Sequence, residues 1–200
     1  MRIPEHRICV YCGSGPGLNP AYMKAAHALG VAMAEADIGL VYGGGGSGLM
    51  GETARGVLSA GGHVTGIIPE FLVKRENMLE GVNELIVTTN MHERKIAMFE
   101  RATGFVAMPG GLGTLEELAE VSTWAQLGQH AKPVIIANIQ GYWDPLLVLL
   151  DHMRAERFIR EGMEVLVDVA KTVEDVVPLY QYARAKVADK MPELVVKGKV

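Results

Sequence analysis

Cysteine is nearly absent from this 200-residue chain: Cys9 and Cys12 are the only two, too few to staple a secreted scaffold. Long apolar runs are missing as well, and no stretch approaches the roughly 20 uninterrupted apolar residues of a membrane span. A basic excess is lacking, since 19 Lys and Arg stand against 23 Asp and Glu, for a formal charge of -4 and a pI near 5.9. That balance excludes the counterion release by which a nucleic-acid binder grips a phosphate backbone, so neither nucleic acid nor membrane is an expected partner. Residues 1–7 carry charge where a signal peptide would place an apolar core, and the expected location is cytoplasmic. No Ser/Pro-rich linker, internal repeat or low-complexity block interrupts the chain. One domain over residues 1–200 is expected, with a loosely attached tail from about residue 186.

What is present is apolar and periodic. Hydrophobic residues make up 49% of the chain, and the mean hydropathy of +0.18 is high for a small monomer, which predicts a homodimer. Short Val- and Ile-rich runs at 8–11, 38–42, 64–68, 85–88, 105–108, 134–137 and 165–167 alternate with amphipathic stretches. This is the pattern of βα units around a doubly wound, Rossmann-like α/β parallel sheet of about seven strands with helices on both faces. Asn19-Pro20 reads as an N-cap followed by Pro at the first helical position, opening a helix to about residue 37.

The 24 glycines cluster at 13–17, 43–48 and 110–113, each group directly after an expected strand. Those are the carboxyl ends of strands, where ligands bind and helix N-termini offer unpaired N–H groups, so a phosphate-bearing ligand is expected. Ser14 and Gly44, Gly45 and Gly46 are candidate nucleotide-loop residues. The string from Gly43 to Gly48 fits G-x-G-x-x-G, yet it follows the second strand and no acidic residue ends the next one, so NAD(P) is a minor alternative.

The run Pro109-Gly110-Gly111-Leu112-Gly113-Thr114-Leu115-Glu116-Glu117 is more specific, since a glycine turn feeds a helix whose first hydroxyl is Thr114. Backbone amides, that hydroxyl and the helix dipole together suit one phosphate. At 100° per residue Glu117 shares a face with Thr114, Leu118, Val121, Trp124 and Ala125, whereas Glu116 and Glu120 point away. Glu117 is therefore the inner carboxylate. Glu116 is explained by the ordinary preference of acids for the first helical turn. In a second helix, beginning near Met91, the wheel puts Arg94 and Lys95 on the face of Met91, Met98 and Ala102. Ile96, Ala97 and Phe99 cover the other sides. Enclosed cations need an anion, and a phosphate or Glu117 would serve; the alternative is a solvated basic edge paired with Glu93 and Glu100.

Other signals fail. Cys9-Val-Tyr-Cys12 has no second pair and reads as two small buried residues. His92-Glu93 begins H-E-x-x-H but meets isoleucine at 96, and no metal is expected. Neither Ser14 nor Ser47 sits in a G-x-S-x-G elbow. The remaining histidines, His6, His27, His63, His130 and His152, read as surface or capping residues.

Together the Arg94-Lys95 pair, the P-G-G-x-G-T-x-x-E run ending at Glu117, the Ile8-Cys9-Val10-Tyr11-Cys12-Gly13-Ser14 strand end and the 43–51 glycine loop resemble the lonely guy (LOG) family. Its plant members are cytokinin riboside 5'-monophosphate phosphoribohydrolases, and its bacterial relatives were long labelled lysine decarboxylases. The resemblance implies a cofactor-free, Rossmann-like homodimer that hydrolyses the N-glycosidic bond of a purine nucleoside 5'-monophosphate to free base and ribose 5-phosphate. It implies Arg94 and Glu117 as the catalytic pair. Glu76, Met91, Lys95, Gly111, Leu112, Gly113, Thr114, Leu115, Glu116 and Thr123 match substrate-contacting positions. Gly15 stands where many relatives carry a second serine, and Gly46 where plant members often carry one.

A pyridoxal phosphate decarboxylase fits poorly, because Lys95 beside Arg94 suits anion pairing better than a Schiff base. The competing class is a non-catalytic carrier of a nucleotide or phosphorylated cofactor, which would use the same loops but has no need of an inward carboxylate.

Overall fold

Alternating apolar side chains send every central strand into two core layers at once. In β1 (His6–Tyr11), Ile8 and Val10, with Cys12 just beyond, enter one layer, while Cys9 and Tyr11 enter the other. The computed structural model describes residues 2–73, 77–160, 162 and 164–196, the last nine by backbone alone. Its sheet adds β2 (Ile38–Tyr42), β3 (Val64–Pro69), β4 (Glu84–Thr88), β5 (Gly104–Ala107), β6 (Val134–Ala137) and β7 (Asp168–Ala170). The order is β4-β3-β2-β1-β5-β6-β7 and every pairing is parallel. Helices α1 (Pro20–Glu35), α2 (Gly48–Ser59) and α7 (Val176–Val196) line the first layer. The short α3 (Glu70–Val73) precedes β4, and α4 (Met91–Arg101), α5 (Leu112–Gln126) and α6 (Asp144–Ala155) line the second. No described helix is long and apolar enough to cross a membrane.

The expected α1 start is observed: the Asn19 side chain accepts from the Ala21 N–H at 2.9 Å, with Pro20 at the first helical position. The seventh strand is not where the apolar run 165–167 predicts it. β7 lies three residues later, where Asp168, Val169 and Ala170 pair with Ile135, Ile136 and Ala137. Leu166 stays 71% exposed and Val167 is only partly buried against the second layer, so the run is a weak core signal, and the strand is fixed by ladder register and by buried Ala170. The segment from Lys186 to Val196, expected as a tail, continues the α7 backbone.

α1 and α2 cross at Gly30 and Gly56, backbone against backbone. A Cβ at Gly30 would overlap the Thr53 carbonyl, and one at Gly56 the His27 carbonyl. Strand order reverses between β1 and β5, and there the two following loops meet, Gly13 N–H donating to the Pro109 carbonyl at 3.0 Å. That reversal is the crevice in which open α/β sheets bind ligands.

Gly30→Ala and Gly56→Ala should each destabilise the fold by about 1–3 kcal/mol, the range for overpacking a tight contact. Urea denaturation measures this, and an unchanged midpoint would mean that the helices have room to separate.

Candidate active site

The three glycine loops converge on the β1/β5 crevice, but their amides are not equally free. In the 43–48 loop the Gly46 N–H donates to the Asn77 carbonyl at 2.9 Å, and the Gly44 carbonyl accepts from Leu79 N–H at 3.2 Å. Arg55 Nη1 adds a bond to the Gly46 carbonyl at 3.0 Å. Gly44 and Gly45 are buried, and Gly45 bridges Met78. This loop is therefore stitched to residues 77–79 rather than open to a ligand along its length. The first amides of α2 are also engaged, since Leu49 and Met50 both donate to the Gly13 carbonyl. Ser14, by contrast, is exposed at the crevice rim.

The N-terminus of α5 is different. Its N-cap, Gly111, offers no side chain, and the first internal bond of the helix runs from Leu115 N–H to the Gly111 carbonyl at 3.1 Å. The amides of Gly111, Leu112, Gly113 and Thr114 precede that bond and point out of the helix end. Gly111, Leu112 and Gly113 are exposed while Thr114 is buried, so the cradle is open above and packed below.

One turn further in stands Glu117, half-buried, on the helical face of buried Thr114, Leu118 and Val121; Glu116 faces solvent, as the wheel requires. Burial raises the Glu117 carboxyl to about 7; the Arg94 charge opposes that rise and the Glu116 charge adds to it.

α4 begins with a reciprocal cap: Asn90 accepts from Glu93 N–H and Glu93 accepts from Thr89 N–H, both at 2.9 Å. That fixes the helix so that Arg94, only 8% exposed, reaches the ends of two strands. Its Nε donates to the Ile67 carbonyl at 3.1 Å and its Nη2 to the Gly43 carbonyl at 3.4 Å, with Met91 Sδ 3.7 Å from Nη1. Gly43 is required there, because a Cβ would occupy the place of Nη2. Among the described residues no carboxylate lies within ion-pair distance of Arg94.

The expected enclosure of both cations is corrected in one respect. Lys95 does not share Arg94's burial; it reaches across to α5, binding Glu116 at 2.7 Å and Glu120 at 2.9 Å, and these bonds raise its pKa. Ile96 is 37% exposed, so α4 is covered on one side only. Glu93 serves the cap and is not a partner of either cation. Thr123 is exposed and bonds back to the Ala119 carbonyl, about 13 Å along α5 from Thr114 at 1.5 Å per residue. Met91 is exposed at the rim beside Arg94, Leu115 is half-buried, and Glu76 lies outside the described residues. Both cysteines are buried. His63 and His130 are not surface residues: His63 is buried and His130 packs against Phe99 and Phe105. A hollow of about 560 Å³ lined by Arg154, Arg157, Ile159, Arg160 and Glu164 contains none of the candidate residues.

Sequence reasoning missed the contacts that hold the loops. These are Arg55 on Gly46, the 77–79 segment, and the Tyr142 hydroxyl on the Gly110 carbonyl. The aromatic pair after Gly141, directly beyond a strand, was the available signal for the last.

A doubly wound sheet with an open, glycine-capped helix end at its switch point, an inward carboxylate and a buried arginine defines an α/β protein whose crevice is suited to an anionic ligand. A family profile described as "Possible lysine decarboxylase" matches residues 50–179. The cytokinin riboside 5'-monophosphate phosphoribohydrolase LOG of Oryza sativa subsp. japonica is 48% identical over 171 residues, 86% of this chain and 71% of that protein. LOG1 of Arabidopsis thaliana, with the same description, is 42% identical over 195 residues, 94% of this chain and 92% of that protein. Among solved structures, the molybdenum cofactor binding protein of Rippkaea orientalis superposes with a TM-score of 0.67 at 28% identity, covering 91% of this chain and 98% of that one. The chain belongs to the LOG family of phosphoribohydrolases.

Because Arg94 is the stronger of the two cations that lower Glu117, the other being Lys95, Arg94→Gln should move the Glu117 titration upward from about 7. Carbon-13 NMR of glutamate-labelled protein reads this directly. A value that stays put or falls would sever the electrostatic link between the two.

Proposed function

We propose that the protein is a cytoplasmic, cofactor-free homodimer that hydrolyses the N-glycosidic bond of a purine nucleoside 5'-monophosphate, of the adenine or cytokinin type. Water's hydroxyl goes to C1' and its proton to the departing base nitrogen, giving free base and ribose 5-phosphate. The observation that carries this reading is Glu117, an inward carboxylate raised to about 7, one turn inside the free amides of α5.

The chemistry follows from charge. Cleaving the C–N bond builds positive charge at C1' and the ring oxygen, and an ionised Glu117 in a partly desolvated crevice stabilises it more strongly than water does. The phosphate on the amides from Gly111 to Thr114 fixes the ribose, so binding energy remote from the reacting bond orients it. Arg94, already tied to two carbonyls, supplies a fixed positive field that keeps part of Glu117 ionised at neutral pH and meets the anionic substrate. Thr123 lies too far along α5 to join its own crevice. With Leu112 83% and Leu127 58% exposed on the same helix, that face suits a second copy, to which Thr123 would contribute.

Purified protein incubated with AMP and with isopentenyladenosine monophosphate should release free base and ribose 5-phosphate, with the unphosphorylated nucleosides reacting poorly. Glu117→Gln should lose about 100-fold or more with folding intact, whereas Glu116→Gln should change turnover little. Chromatography of base, nucleoside and nucleotide decides. No release by the wild type, together with a ligand that co-purifies intact, would favour a carrier instead. Since the carboxylate is the acting form, kcat/KM should rise with pH through about 7 and then level; a profile flat across that range would remove Glu117 from this role. Light scattering should give twice the chain mass.

A further inference from the structure

The segment after β6 adopts an unusual backbone beside the crevice, between Ile139 and Trp143, each buried in one of the two core layers. Gln140, which carries a side chain, sits at φ 55° and ψ 30°, and Gly141 follows at φ 69°. Two successive left-handed residues, one of them not glycine, persist only where their surroundings over-determine them, and such outliers concentrate at functional sites. Here the surroundings are built by Asn138. Its side-chain carbonyl accepts from Trp143 N–H at 2.7 Å and its amide donates to Asp144 at 2.7 Å, while its own N–H binds the Ala170 carbonyl of β7 at 2.8 Å.

Besides seating Trp143 in the core, this turn places one hydroxyl. Tyr142 donates to the Gly110 carbonyl at 2.5 Å, across 32 residues of sequence. The Tyr142 ring is held edge-on by Tyr22, centroids 5.6 Å apart, and by Trp143 at 5.0 Å. Tyr22 in turn lies against Gly17 of the first glycine loop. Tyr142 therefore ties the loops after β1, β5 and β6 together at the switch point.

We infer that Tyr142 is a positioning residue for the phosphate-binding amides: by holding the Gly110 carbonyl it turns the Gly111 N–H toward the anion. The peptide plane makes the link. In a trans peptide the carbonyl and the next N–H point in opposite directions, so fixing one fixes the other. Gly110 is already confined on two sides, because a Cβ there would overlap the Thr114 hydroxyl and crowd the Gly13 amide. The Tyr142 bond sets the remaining freedom, rotation of the Gly110-Gly111 peptide. Without it, the Gly111 N–H, at the N-cap with no side chain to hold it, would sample orientations that leave the phosphate one donor short.

This inference rests on the phosphoribohydrolase reading for its substrate, but its test includes a readout that does not. Tyr142→Phe removes only the hydroxyl and keeps both ring contacts. For the nucleoside 5'-monophosphate, KM should rise about 5- to 10-fold with kcat changed less than 2-fold, the weakening, short of complete loss, of one hydrogen bond to a charged group. For the unphosphorylated nucleoside the ratio of variant to wild-type KM should fall back toward one. The affinity for inorganic phosphate, measured by calorimetry, should drop by the same factor as the nucleotide KM rises, with an unchanged thermal transition showing that the fold is intact. An unchanged phosphate affinity, or a fall in kcat with KM unmoved, overturns the inference. Should the wild type cleave no nucleotide, the phosphate titration alone still decides: a weaker phosphate site in the variant supports the positioning role while the hydrolytic reading fails, and equal or absent binding in both proteins sinks it.

Discussion

A guanidinium group buried without a carboxylate beside it among the described residues is the constraint around which the crevice is built. Removing the Arg94 charge from water is costly, and only groups aimed at its own N–H donors offset that cost. The fold supplies carbonyls at the ends of two strands, Ile67 in β3 and Gly43 just after β2, neither of which brings a compensating negative charge. Position 43 must lack a side chain for this to work, and α4 must start where its Asn90 and Glu93 cap starts it. The positive field left over is felt by Glu117, whose burial alone would hold it still further into its protonated form. Cation and acid are coupled without touching as an ion pair.

Topology then decides which glycine loop is free to bind. All three loops lie at carboxyl ends of strands, yet the Gly13 carbonyl occupies the first amides of α2, and Asn77 takes the Gly46 N–H. Among the described residues only the β5–α5 loop keeps its helix end open, because its N-cap is a glycine with no side chain to fold back onto the amides. A glycine-rich sequence marks where the backbone can come close to something. Whether that something is another loop or a ligand is settled by tertiary contacts.

That distinction separates what was legible in the residues from what was not. Six of the seven strands stand within about two residues of their apolar runs, since a strand buried on both faces leaves an uninterrupted signature. β7 was misplaced because an edge strand of three residues buries only Ala170 and leaves almost no pattern. The helical phase of α5 separated Glu117 from Glu116 without any knowledge of their neighbours, a purely local property of one helix. The wheel could not separate Arg94 from Lys95. Adjacent residues share a broad face, and Arg94 turns inward to strand carbonyls while Lys95 turns outward to Glu116 and Glu120, a choice made by α5 and the sheet. The contact made by Tyr142 was not legible for a similar reason, since its partner lies 32 residues away and its approach depends on the turn built by Asn138.

The electrostatic character of Glu117 also bears on what kind of protein this is. A protein that only stores a phosphorylated ligand is best served by donors and cations, because a carboxylate near an anion weakens the complex it must maintain. Here the carboxylate is retained at the inner side of the cradle, desolvated and with no direct cationic partner among the described residues. It is a liability to an anionic ground state and an asset once positive charge appears on the ribose. Interactions unfavourable in the bound substrate and favourable in the transition state are the ones that raise turnover rather than affinity. The raised pKa records the same imbalance: the site holds a negative charge uneasily until chemistry supplies the positive one.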